Sequence, residues 1–314
     1  MSLLGCKSMK YTYKNLRLYY SKDPLKIINF YNAFDTVADL IKWMKRVPTN
    51  QKEDIREVKG ATDIVVIIPT LNWNNSYSKG CKKLFNGQQI IFLESYKHVK
   101  KNFRFAKVCN MGLRYALRYD PKWVILANDD IYKIDEFEKL KRQLNKISHK
   151  YDIIFTKKPN IHHSMPMYIG NATFLTRLYH RLKGNFTKKQ QDIFDRFSVD
   201  RFAISDDMNV FKSFLYKFFY KRELKFYNSG DFVVLNPQFI RKKKSVFDET
   251  YLNGYEDIDL SIEACSKGKS RYAFIDFKVG SYIGGTMGGD PNRDFRDLAN
   301  LVYFNYKNRA LFKR

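Results

Sequence analysis

The stretch Trp123-Val124-Ile125-Leu126-Ala127-Asn128-Asp129-Asp130 decides how the rest of the chain is read. Five apolar residues run without a break into an amide and two carboxylates. A run this short fits a strand buried on both faces, as in a parallel sheet. Carboxylates at the end of a buried strand cost free energy unless a divalent cation, a basic partner or solvent compensates them. In open α/β sheets, ligands gather beyond the carboxyl ends of the strands, which is where Asn128, Asp129 and Asp130 fall. A solvated Asx turn that closes the strand is the plainer reading of the same three residues, since Asn and Asp are ordinary turn formers.

The flanking segments repeat the pattern. Asp63-Ile64-Val65-Val66-Ile67-Ile68 reads as a buried strand that Pro69-Thr70 stops. Ile90-Ile91-Phe92-Leu93 is another, ending in Glu94-Ser95. Helical spacing is expected from Phe103 to Tyr119, with Phe105, Val108, Gly112, Tyr115, Ala116 and Tyr119 on one side. A further helix near Asp135–Asn145 precedes a strand at Tyr151–Phe155. Such alternation predicts a mainly parallel sheet flanked by helices. Pro69, Thr70, Glu94, Asn128, Asp129 and Asp130 would then line one edge of it. A carboxylate such as Glu94 can accept hydrogen bonds from a nucleobase or ribose, and the Asp129/Asp130 pair can hold a metal bridging a diphosphate. No GxGxxG follows the first of these strands and no GxxxxGK[ST] occurs, so a dinucleotide or P-loop site is not expected.

Bulk properties narrow the class. The chain has 314 residues, 44% of them hydrophobic and 16% aromatic, enough to bury a core. Lys and Arg number 57 against 32 Asp and Glu, a formal charge of +25 that attracts nucleic acid, acidic headgroups or a phosphorylated substrate. The four cysteines form no CxxC pair, which argues against a zinc site or disulfide scaffold and fits a reducing compartment. No window approaches the ~18 apolar residues of a membrane span. The expected location is the cytoplasm, soluble or at the inner face of the membrane.

Residues 1–60 read as an N-terminal helical extension. Phe34, Val37, Leu40, Ile41 and Met44 recur at helical spacing, and the charged run from Gln51 to Lys59 reads as a linker. Residues 61–314 read as one further domain in three parts: 61–159, an insertion (160–229) and 230–314. In the insertion, His162-His163 are more readily a loop pair than metal ligands, and Ser205-Asp206-Asp207 fits a helix cap. The aromatic and basic segment Phe211–Arg222 fits either contact with a membrane surface or a core-facing helix with a solvated basic face.

In the last part, Asp231–Asn236 is a strand, and the stretch Phe247-Asp248-Glu249 followed by Gly254-Tyr255-Glu256-Asp257-Ile258-Asp259-Leu260 opens a helix that runs to Cys265. Asp257 and Asp259 lie about 200° apart around that helix, so the two cannot face one site. Glu256, Asp259 and Glu263 share a face from which Asp257 stands apart. Gly284–Gly289 is a glycine-rich loop, and a helix is expected between Arg293 and Phe312.

Pro69-Thr70-Leu71-Asn72, then Asn110-Met111-Gly112-Leu113-Arg114-Tyr115-Ala116, then Asn128-Asp129-Asp130 resemble the first half of a family 2 glycosyltransferase of the GT-A fold, closest to its rhamnosyltransferase-like branch. The second motif is similar to that family's N-x-G-x-x-x-A helix and the third to its metal-binding DxD. The Phe247–Leu260 stretch resembles the family's FDE…GxEDxDL element. The resemblance implies an α/β, GT-A-like fold with a helical insertion, a catalytic domain in which residues 61–159 are the nucleotide-sugar-binding half and residues 230–314 the acceptor-binding half. It also implies inverting transfer of a sugar from a nucleotide-diphospho-sugar to an acceptor hydroxyl on a glycan or lipid-linked glycan, assisted by Mn²⁺ or Mg²⁺. Asp257 takes the role of base and Asp130 that of metal ligand. Pro69, Thr70, Asn72, Glu94, Asn110, Asn128 and Asp129 fall to the donor, and Glu256 and Asp259 to the acceptor side. The chain departs from the family at Glu263, where Arg is frequent, and near Ser281 and Tyr282, where a His often completes the metal shell. Two other readings are a metal-dependent nuclease or nucleic-acid-binding protein, which leaves the Gly254–Leu260 motif unexplained, and a non-catalytic module that keeps the fold.

Overall fold

The computed structural model describes residues 15–47, 53–95, 104–156, 165–170, 187–197, 201–204, 222–227, 230–265, 269–282 and 292–312. Among these, seven strands form one mixed sheet: β1 (Asp54–Val58), β2 (Ala61–Thr70), β3 (Gln88–Glu94), β4 (Trp123–Ala127), β6 (Ile153–Thr156), β10 (Phe232–Leu235) and β11 (Tyr272–Ile275). Their order is β1-β3-β2-β4-β10-β6-β11. β2 runs parallel to β3 and β4, and β6 parallel to β11. β1 opposes β3 at one edge, and β10 opposes both β4 and β6 in the interior. The sheet is therefore mixed, with β1 and β10 against the other five. This reversal matters to the site: Phe232 pairs with Ala127, so the amino end of β10 lies beside the carboxyl end of β4.

Alternate side chains of the central strands feed two cores. On one face Ile64, Val66, Ile68, Ile125 and Ala127 pack with α3 (Ser76–Leu84) and α5 (Phe137–Lys146). The same layer holds a small antiparallel pair, β5 (Ile131–Lys133) with β12 (Val279–Ser281). On the other face Val65, Ile67, Val124 and Leu126 meet α4 (Phe105–Ala116), α7 (Pro237–Lys242) and one side of α8 (Glu256–Cys265). Each fully buried aliphatic here contributes about 1.5–3 kcal/mol of transfer free energy. Close approach of α4 depends on Gly112, where an added Cβ would lie 2.5 Å from Leu93 Cδ1 and 2.6 Å from Ile67 Cγ2.

Several sequence expectations change. The charged run expected to be a linker contributes β1, and its polarity suits an edge strand that keeps part of each side chain in solvent. β2 continues through Pro69 and Thr70, paired with Leu93 and Glu94. It can do so because its ladder with β4 has already ended at Ile67 and Leu126. The insertion, expected to be helical, contains a three-stranded antiparallel sheet, β7 (Met165–Gly170), β8 (Arg201–Ile204) and β9 (Arg222–Tyr227), as well as the helix α6 (Lys188–Arg196). His162, His163, Ser205, Asp206, Asp207, most of the Phe211–Arg222 segment and the Gly284–Gly289 loop lie outside the described residues.

The N-terminal segment is built into the fold. α1 (Pro24–Asn32) and α2 (Val37–Arg46) share a third core with α6, with Tyr251, Leu252, Ile258 and Ile262, and with α9 (Arg293–Arg296) and α10 (Leu298–Lys307), which α11 (Arg309–Phe312) follows. The Tyr31 hydroxyl donates to the Arg296 carbonyl at 2.7 Å, and Arg104 Nη2 to the Met44 carbonyl at 3.0 Å. No helix among the described residues is long and apolar enough to cross a membrane.

Candidate active site

β4 is buried along its whole length and delivers Asn128, Asp129 and Asp130 to the carboxyl edge of the sheet. Asp129 is 2% and Asp130 7% exposed, so both carboxyl groups sit where water is scarce. The turn is pinned from four directions. The Thr70 hydroxyl at the end of β2 donates to Asp129 Oδ2 at 2.6 Å. From α3, Ser78 Oγ lies 3.1 Å from Thr70 Oγ1, and the Cys81 thiol donates to the Asp129 carbonyl at 3.2 Å. Burial, with Asp129 and Asp130 nearby, pushes that thiol well up, so Cys81 acts as a neutral donor. From β10, Asp231 accepts the Asn128 amide N–H on its carbonyl at 2.9 Å and Asn128 Nδ2 on its carboxylate at 2.7 Å. From the end of β12, the Tyr282 N–H donates to the Asp130 carbonyl at 2.9 Å.

Asp257 reaches the same edge from α8. Its Oδ2 accepts the Gly230 N–H at 3.1 Å and its Oδ1 the Ile258 N–H at 2.8 Å. A Cβ on Gly230 would lie 3.0 Å from Asp257 Cβ, so the close seating of this carboxylate relies on a glycine before β10. Residues 230 and 231 thus touch Asp257 on one side and Asn128 on the other. Thr70 is bonded to Asp129 and Asn128 to Asp231, Asp257 is joined to them through Gly230, and Asp130 follows on the same turn. Strand direction is what brings Asp231 in: an acid at the start of a strand faces this edge only if the strand runs backwards, and direction is not written in local pattern.

The remaining candidates divide. Pro69 sits at the end of β2. Asn72 accepts the Asn74 N–H on its side chain at 2.9 Å, an Asx turn that shapes the loop after β2. Glu94 ends β3 with both oxygens engaged, one by the Trp73 N–H at 3.3 Å and the other by Arg56 Nε of β1 at 3.3 Å. Asn110 is not at the edge. It is buried in α4, its Nδ2 donates to the Phe247 carbonyl at 2.8 Å and to Glu249 at 3.0 Å, and its Oδ1 accepts the Val246 and Phe247 N–H groups, each at 3.0 Å. Those bonds use its whole amide on the 246–249 loop, so Asn110 is a clasp for that loop.

Glu256 and Asp259 also face away from the edge. Asp259 accepts from Lys307 Nζ at 2.5 Å and from Asn308 Nδ2 at 3.2 Å. Lys307 donates as well to Asp248 at 2.6 Å, and the Tyr303 hydroxyl does so at 2.8 Å. Burial works against the Lys307 charge, but Asp259 and Asp248 outweigh it and push the ammonium up. Burial likewise works to raise the Asp248 carboxyl, and the Lys307 bond and charge overcome it and hold it below the usual range. A polar cleft of about 510 Å³ opens beside this network, lined by Lys45, Arg104, Asp248, Glu249, Asp259 and Glu263 among others. Asp257 is not part of its wall. Glu256 is buried, its Oε2 accepting the Gly254 N–H at 2.8 Å. Among the described residues, no three His, Cys, Asp or Glu side chains are grouped so as to hold a metal ion.

Fold and site together define an α/β protein on a mixed seven-stranded sheet with an acidic site at the strand ends. No protein-family model matches the chain, and no curated protein matches it. Among solved structures it is similar to A197 from STIV, whose crystal structure matches with a TM-score of 0.34 and 14% identity over 68% of this chain and 81% of that one. A likeness at that level carries no argument.

Proposed function

We propose that the chain is a GT-A-like glycosyltransferase, moving a sugar from a nucleotide-diphospho-sugar to an acceptor hydroxyl with inversion. The observation that carries this reading is the order of groups along the sheet edge. Glu94 ends β3, Thr70 ends β2, Asn128–Asp130 follow β4, and Asp231 with Asp257 flank the start of β10. These four strands are neighbours, and three strand spacings span roughly 14 Å. That is the reach of an extended nucleoside diphosphate with its sugar. Base and ribose would lie toward Glu94 and Asn72, the diphosphate toward Asp130, and the sugar and acceptor toward Asp257.

Asp257 would accept the proton of the acceptor hydroxyl as that oxygen attacks the anomeric carbon, and the bond to the diphosphate would break with its electron pair leaving on phosphate. The Gly230 and Ile258 amides fix the carboxylate for that role. Asp130 offers a hard oxygen donor that fits Mg²⁺ or Mn²⁺ held jointly with phosphate oxygens and water, the usual arrangement where a site supplies only one or two carboxylates. When bound, such an ion neutralises charge on the departing diphosphate. Thr70, Cys81, Asn128 and Asp231 keep the turn rigid around it. The formal charge of +25 would favour an acceptor at an anionic membrane, such as a lipid-linked glycan. Flotation with acidic liposomes at physiological salt tests that part, and absence of binding removes it.

A thermal-shift screen of nucleoside diphosphates and nucleotide sugars, with and without Mn²⁺ or Mg²⁺, tests the reading directly. A ligand selective for the native state raises Tm by mass action. The expected result is a metal-dependent shift with one nucleotide, lost in Asp130→Ala and kept in Asp257→Ala. Absence of any shift across the panel would refute the reading.

A further inference from the structure

Glu256 stands one residue before Asp257 at the start of α8, yet the two carboxyl groups have opposite surroundings. Asp257 turns to the sheet edge. Glu256 turns inward, 6% exposed, and accepts the Gly254 N–H at 2.8 Å. That bond closes a turn in which Asn253, Gly254 and Tyr255 have φ of 60°, 156° and 75°. Asn and Gly tolerate positive φ, whereas Tyr resists it, so the turn persists only because its surroundings over-determine it. Asn253 Oδ1 accepts the Phe105 N–H at 2.8 Å, and Asn300 accepts the Leu252 N–H at 2.7 Å and donates to the Leu252 carbonyl at 3.2 Å. The direction in which α8 begins, and with it the seat of Asp257, follows from this turn.

The Gly254 N–H and the residue's own N–H favour a charge on Glu256, but burial and the acids that face it oppose one and outweigh them. Asp257 lies on its own helix. Asp297, between α9 and α10, is a second acid; Arg293 pairs with it at 3.7 Å, and Arg296 lies in the same neighbourhood. From α4 comes Cys109, a buried thiol that stays protonated. An ionised carboxylate here would be desolvated between two like charges.

We propose that Glu256 is a positioning residue carried as a neutral carboxylic acid: it braces the 253–255 turn that aims α8 and leaves Asp257 the single negative charge of the pair. This rests on the reading of Asp257 as the base. Burial first, and the Asp257 charge second, push the Glu256 carboxyl up to about 8, in keeping with that state at neutral pH. Two adjacent carboxyls driven apart by environment are a general way of separating a charged partner from a neutral one.

The sign of the pH effect follows. Between about 4.3, the ordinary carboxyl value, and about 8, the folded protein holds a proton on Glu256 that the unfolded chain has released. Stability present below that window is therefore lost as pH rises through it. Urea unfolding of the full chain between pH 5 and 9 should show the wild-type midpoint falling across the window and Glu256→Gln falling less. Equal pH dependence in the two proteins would overturn the neutral acid.

The positioning role is read from release of nucleoside diphosphate from UDP-, GDP- and dTDP-hexoses in the presence of Mn²⁺. Glu256→Ala should lower kcat by about tenfold or more with KM little changed, and Glu256→Gln, which keeps an acceptor for Gly254, should recover most of the loss. An unchanged kcat in Glu256→Ala would overturn the role. Full turnover by Asp257→Asn would instead sink the base assignment, and the positioning role with it, while the unfolding result stands by itself.

Discussion

Lys307 is the most exacting test of how the 246–260 segment is held. Its ammonium lies between Asp248 and Asp259 at 2.6 and 2.5 Å, and the three side chains are 29%, 20% and 6% exposed. Replacing Lys307 with Met keeps the aliphatic stem and removes the charge, which leaves two carboxylates facing each other with little solvent. Removing one partner of a buried ion pair costs about 3–5 kcal/mol, and the residual exposure of Lys307 places this case near 3 kcal/mol. At ~2.1 cal/mol/K per residue, a chain of 314 residues has an unfolding entropy of roughly 0.66 kcal/mol/K, so Tm should drop by about 4–5 °C. The loss should be pH-dependent with a defined sign. Asp248 is held below the usual carboxylate range, so its contribution is present above the ordinary carboxyl value and fades as pH falls through its folded one. The gap between wild type and Lys307→Met should accordingly hold from pH 6 to about pH 4, the ordinary carboxyl value, and narrow below it, and adding Asp248→Asn to Lys307→Met should restore part of the stability. Calorimetry across that pH range is the assay. A drop under about 1 °C, or a gap that widens in acid, would refute the reasoning.

Two further substitutions probe the packing behind the site. Asn110→Ala withdraws the amide that satisfies the Val246 and Phe247 N–H groups and the Phe247 carbonyl, and at about 1 kcal/mol or more for each buried group left unpaired it should cost roughly 3 kcal/mol in urea unfolding. A cost below about 1 kcal/mol would mean that water or a neighbour replaces the clasp. Gly112→Ala should destabilise by about 1–3 kcal/mol through overpacking against Leu93 and Ile67, despite an intrinsic helix preference for Ala of up to ~1 kcal/mol. Leu93→Val should relieve part of that cost, and a Gly112→Ala protein as stable as the wild type would show that α4 can shift away from the sheet.

Features set by neighbours in sequence were legible, and those set by distant partners were not. β4 and the acids after it follow from five apolar residues ending in polar ones, and the start of α8 at Glu256 follows from a glycine before an acidic helical turn. The angular separation of Asp257 from Asp259 needed only helix geometry, and the two do face different surroundings. By contrast, the direction of β10 depends on which strands it joins, so Asp231 could not be placed at the edge beforehand. Arg56 meets Glu94, Asn110 meets Phe247, and Lys307 meets Asp248 across separations of 38, 137 and 59 residues. The strands β7, β8 and β9 were not legible because each is a short mix of residues that suits a helix face and a strand about equally.

These contacts also change what the Phe247–Leu260 stretch says about chemistry. Phe247 and Leu260 are core residues, Asp248 and Asp259 grip Lys307, Glu249 meets Asn110, and Glu256 closes the turn on Gly254. Asp257 is the acid of this stretch that turns to the sheet edge, where it meets Gly230. Most of the signature therefore serves to fix a strained turn, and Asp257 is the residue in it left for the proton transfer proposed above. A substitution scan across the segment should then split cleanly. Losses at Asp248, Glu249 and Asp259 should track with stability. Loss at Asp257 should appear in turnover without a matching fall in Tm, because its carboxylate accepts from backbone amides at a partly open helix start, where water can take its place.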